Sequence, residues 1–109
     1  MALWQEVDIC KKQLDSALAT LRENGIKWAE AEYKYRILKS QRILELNSKA
    51  YPKTLITDIV KGMDDVAELD FQRNVAEVVY KANQEAINVK KLEMRTIESE
   101  MEIEYGKGE

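Results

Sequence analysis

Gly25 and the tail glycines apart, the breakers of this chain, Pro52 and Gly62, fall in one short stretch, from Tyr51-Pro52-Lys53-Thr54 to Lys61-Gly62, with long charged-and-apolar runs on either side. Pro52 is the only proline, and Gly106 and Gly108 lie in the tail. Proline removes a backbone donor and clashes with the turn before it, and glycine loosens a helix, so their placement decides where helices stop. The pattern predicts an all-α fold: an antiparallel hairpin of two long helices with a short connecting helix. The expected elements are a helix over about 3–50, a short helix over about 55–61 and a helix over about 64–105, with a frayed tail at 106–109. Together they are expected to form a single helical domain over residues 1–109.

The periodicity supports this layout. Leu3, Val7, Cys10, Leu14, Ala17 and Leu21, then Trp28, Ala31, Tyr35 and Leu38, keep a spacing of three and four. That is a seam on one helix face. Asn24-Gly25 interrupts it, yet Leu21 to Trp28 is one full heptad. The phase survives, so one continuous helix is expected, weakened at Gly25 by about 1 kcal/mol. Tyr51 precedes proline and is pushed out of helical geometry. Thr54 is expected to cap the short helix, Gly62 to end it in the left-handed conformation, and Asp64 or Asp65 to open the last helix.

On the last helix, Val66, Leu69, Ala76, Tyr80, Ile87, Met94, Ile97 and Met101 form one seam. Phe71, Val75, Val79, Ala82, Ala86 and Val89 form a second, adjacent stripe. The run from Glu100 to Tyr105 alternates like a strand but keeps the helical phase, so it is read as helix.

Chemistry is constrained by what is missing. The chain has no histidine and one cysteine, Cys10. A structural zinc site needs several Cys or His ligands, and Ser or Cys nucleophiles usually need a His base. An enzyme is therefore not expected, nor a cofactor or metal. A single cysteine cannot make an internal disulfide, which fits a reducing compartment. Cys10 sits on the apolar seam, as core or as a reactive thiol. The opening Met-Ala-Leu-Trp-Gln-Glu-Val-Asp is not a signal peptide, and no apolar run reaches the ~20 residues that span a bilayer. No membrane association and a cytoplasmic location, in a bacterial host cell, are expected.

A lone hairpin covers one seam per helix. Trp4, Ile9, Leu18, Ile26, Tyr33, Ile37, Ile43 and Leu44 fall outside the first seam. With the second stripe of the last helix, they predict a homo-oligomer, a dimer first, in which hairpins pair into a four-helix bundle or a larger helical oligomer. Charge favours the antiparallel orientation. Folding at Pro52 brings Lys34, Arg36, Lys39 and Arg42 toward Asp64, Asp65, Glu68 and Asp70, and brings Lys11 and Lys12 toward Glu98–Glu104.

Three groups of residues are candidates for binding. Lys34, Arg36, Lys39 and Arg42 interleave with Trp28, Tyr33 and Tyr35, the combination that grips single-stranded nucleic acid or a partner. They equally fit a solvated face over core aromatics, and a net charge of −3 argues against strong phosphate binding. Glu98, Glu100, Glu102 and Glu104 crowd a helix C-terminus, where the dipole disfavours them; they are an acidic surface for a partner or simply a solubilising face. Tyr51, Pro52, Leu55, Ile56 and Ile59 form an apolar tip, either a cap on the bundle end or a docking knob.

The opening Met-Ala-Leu-Trp-Gln-Glu-Val-Asp, the central Tyr-Pro-Lys-Thr-Leu-Ile-Thr-Asp-Ile-Val-Lys-Gly, Asn74–Ala82 and Glu85–Lys91 carry a resemblance. Over most of its length the chain resembles small helical proteins encoded by phages and prophages of Gram-positive bacteria. These lie among replication and recombination functions. The resemblance implies a non-enzymatic accessory role near single-stranded DNA, a recombinase or a host factor, and transfers no site residues. A single-stranded nucleic-acid-binding recombination factor and an inhibitor of a host defence system are the alternatives. Tyr105-Gly-Lys-Gly-Glu109 also resembles the export tail of secreted WXG-type hairpins, although no Trp-x-Gly marks the turn.

Overall fold

The computed structural model describes residues 2–106. Three helices account for nearly all of them: α1 (Leu3–Ser48), α2 (Lys53–Lys61) and α3 (Asp64–Gly106). No strand occurs among the described residues, and Glu100 to Tyr105 is helical. Residues 107–109 of the expected frayed tail lie outside the described residues, while Gly106 closes α3. Helix α1 passes through Asn24-Gly25 without a break. The seam carries it through: Leu21 and Trp28 are both half-buried, one heptad apart. No helix among the described residues is long and apolar enough to cross a membrane.

The connector differs from expectation in three ways. Helix α1 stops at Ser48 because Ala50 takes φ 60°, the left-handed conformation that usually belongs to glycine. Helix α2 begins at Lys53, with Pro52 rather than Thr54 in the N-cap position. Proline suits a helix start because its φ is already near −60° and the missing donor would be unsatisfied there. Gly62 is not left-handed: it sits at φ −87°, ψ −4°. Its N–H reaches back to the carbonyls of Asp58 and Ile59 at 3.3 and 3.2 Å. A Cβ added at Gly62 would meet only those two oxygens, at 3.6 Å or more. Gly62→Ala should therefore be tolerated, and should raise stability by about 0.4–1 kcal/mol through the unfolded chain. Thermal melting checks this; a loss of more than about 1 kcal/mol would restore the left-handed assignment.

The chain divides into two compact units. One holds Asn24–Val79, which includes the later part of α1, all of α2 and the start of α3. Its core is Tyr35, Leu46, Ile56, Val60 and Val66, with Leu38, Ile43, Met63 and Leu69 packed against it. Val60 and Val66 are fully enclosed. Helix α2 is strongly amphipathic: Ile56 and Val60, one turn apart, face inward. Arg42 meets Asp65 and Glu32 meets Arg73, so α1 and α3 run antiparallel here.

The other unit pairs the start of α1, through Glu23, with α3 from Tyr80 onward. Cys10 and Ile87 are buried, and Leu14, Ala17, Leu21, Tyr80, Met94 and Ile97 are half-buried. The Asn83 amide donates to the Ala17 carbonyl at 3.4 Å, and Lys90 Nζ to Gln13 Oε1 at 2.9 Å. The Cys10 thiol approaches the Lys90 carbonyl at 3.7 Å. The helices are antiparallel in this unit too.

Candidate interaction surface

The polar centre of the Asn24–Val79 unit is built around Arg73. Its position continues the α3 seam, so the side chain is directed at α1 and is half-buried. The guanidinium stacks on the Tyr35 ring, 4.4 Å from its centroid. Its Nη2 donates to Asp70 at 2.6 Å and its Nη1 to Glu32 at 3.3 Å, while the buried Nε has no partner. Glu32 also accepts from Arg36 Nε at 2.9 Å. A second link across the helices joins Arg42 to Asp65, which accepts from Nε at 3.0 Å and from Nη2 at 2.6 Å, with Glu45 on Nη1.

These contacts redraw the expected charge pairing. Arg42 does meet Asp65, but Arg36 pairs within α1, Asp70 pairs within α3, and Lys39 lies over Tyr35 at 5.6 Å. Lys12 pairs with Asp8 on its own helix. Long side chains find an opposite charge at i+3 or i+4 before they reach a neighbouring helix. A crossing pair that the charge pattern concealed, Glu32–Arg73, has the acid on α1 and the base on α3.

The basic candidates do not form one face. Along α1, Lys34, Arg42, Lys39 and Arg36 fan out over roughly 200° of the helix at 3.6 residues per turn. Arg36 and Arg42 are held by carboxylates, and Lys39 by an aromatic face. Lys34 is exposed. The acidic candidates are all exposed but split into two pairs, Glu98 with Glu102 and Glu100 with Glu104, on roughly opposite sides of α3. No cluster of three or more Asp, Glu, His or Cys that could hold a metal ion occurs among the described residues. At the tip, Tyr51, Pro52, Leu55 and Ile59 are exposed, whereas Ile56 is 3% exposed and belongs to the core. Ile56 is thereby removed from the candidate docking residues: the amphipathic turn of α2 directs it inward.

The prominent exposed surface is the second stripe of α3. Phe71, Val75 and Val79 are 64, 44 and 45% exposed, and Val78 beside them is 66% exposed. Phe71, Val75 and Val79 line an open groove of about 370 Å³, completed by Asn24, Lys27, Glu68, Gln72 and Ala76. On α1 the off-seam residues Ile26, Tyr33, Ile37 and Leu44 are exposed, while Ile43 packs against the core. In the other unit Trp4, Ile9, Leu18, Val89, Leu92 and Ile103 are exposed. Val78, Leu92 and Ile103 were not part of the stripe read from sequence, though Val78 lies three residues after Val75 and Leu92 three after Val89, a spacing that could have found both.

Two carboxylates are held below their ordinary range. The hydrogen bond from Arg42 does this for Asp65, aided by the Val66 N–H at 2.8 Å. For Glu32 the cause is the hydrogen bond from Arg36, partly opposed by desolvation, with Arg73 adding to it. A carboxylate whose folded pKa is depressed stabilises the fold above its unfolded pKa, and that contribution is lost as pH falls through the folded value. Melting temperature should therefore decline once pH drops below about 4.5. Glu32→Gln with Asp65→Asn should flatten that acid limb, and an unchanged slope would show that the two pairs carry none of it. Both pairs lie at the surface, so salt should shrink the effect.

No protein-family model matches the chain, and no match was found among curated proteins or solved structures.

Proposed function

We propose that this chain is a non-enzymatic accessory protein that works by binding another protein through the outer face of its helices. The observation that supports this most is the exposed apolar stripe Phe71, Val75, Val78 and Val79, beside a groove. Contiguous apolar surface is unfavourable on a free monomer and marks interaction sites. The finer architecture belongs to the same reading: hairpins pair into a four-helix bundle or larger helical oligomer, which would cover this face. The resemblance to phage and prophage helical proteins favours a role beside a replication or recombination factor, or against a host defence system.

Affinity capture from lysogenic or infected cells tests the reading. The wild-type chain should recover a defined protein, or a second copy of itself, and Val75→Asp should lose it. A free monomer that captures nothing overturns it. A single-stranded nucleic-acid-binding role is the weaker alternative, because Arg36, Lys39 and Arg42 are already engaged and diverge around α1. Mobility shifts at low salt, and their loss as salt rises, would be its signature.

A further inference from the structure

We draw no further inference here: the strongest candidate, the unpartnered apolar face of α3 formed by Phe71, Val75, Val78 and Val79, belongs to the interaction surface already described, and nothing in the structure shows what covers it.

Discussion

Tyr35→Ala is expected to cost this chain about 3–5 kcal/mol, the range for deleting a buried aromatic. Tyr35 is 6% exposed and packs with Leu46, Ile56, Val60 and Val66. Its loss removes apolar area from that core and leaves a cavity at the junction of three helices. It also strips the face on which the Arg73 guanidinium rests. Arg73 is then held only by Glu32 and Asp70 while its Nε stays buried and unpaired. Tyr35→Leu should recover a large share of the loss by restoring volume. The difference from wild type that survives in a double-mutant cycle with Arg73→Met isolates the cation–π contribution, about 0.5–2 kcal/mol. Urea denaturation at fixed protein concentration measures all of these, because an oligomer's stability depends on concentration. A cost under about 1 kcal/mol for Tyr35→Ala would mean that the Asn24–Val79 core is not packed as described.

The second large effect separates the two sides of α2. Val60→Asp should cost about 3–5 kcal/mol, because Val60 is fully enclosed and no cation lies in the core cluster to receive the carboxylate. Leu55→Asp, on the outer side of the same helix, should change stability by no more than about 0.5 kcal/mol. Leu55 is half exposed and contributes nothing to the buried cluster. The pair of variants therefore also tests the tip. If Leu55→Asp is stable yet loses a captured partner, Tyr51, Leu55 and Ile59 are part of the interaction surface. If partner capture is unaffected, α2 serves only as a lid on the core. Similar losses for the two variants would contradict the amphipathic placement of α2.

Both long seams could be read from the sequence because a spacing of three and four needs no knowledge of the partner helix. Every seam residue named on α1 and α3 is buried or half-buried. The stripe on α3 was legible for the same reason, and its members are exposed. Polar residues within the seams were not. Asn24 on α1 and Arg73, Asn83 and Lys90 on α3 continue the same spacing and are half-buried. An apolar template passes over them, although the gaps that they fill, between Leu69 and Ala76, Tyr80 and Ile87, and Ile87 and Met94, were each one heptad wide. Arg42 with Asp65 apart, the ion pairs were illegible because a long flexible side chain chooses among several partners by local geometry. The connector was half legible. Its position follows from Pro52, but glycine adopts right-handed and left-handed conformations alike, so Gly62 did not announce which it takes.

The Glu32–Arg73 pair has a consequence for alignment along the helices. A heptad repeat is nearly indifferent to sliding by seven residues, since one apolar layer replaces another. The residue that precedes Glu32 by seven is Gly25, and the one that follows it by seven is Lys39. If α1 slipped one heptad against α3 in one direction, Arg73 would face a glycine and lose its acceptor. Slipping the other way would set it against a like charge. Neither shifted register offers the half-buried guanidinium a carboxylate on α1; it would keep only Asp70 on its own helix, and a half-buried charge that loses part of its pairing disfavours the shifted alignment. A polar residue that adds little to stability can thus act as a key, admitting one alignment out of several that the apolar side chains alone would accept.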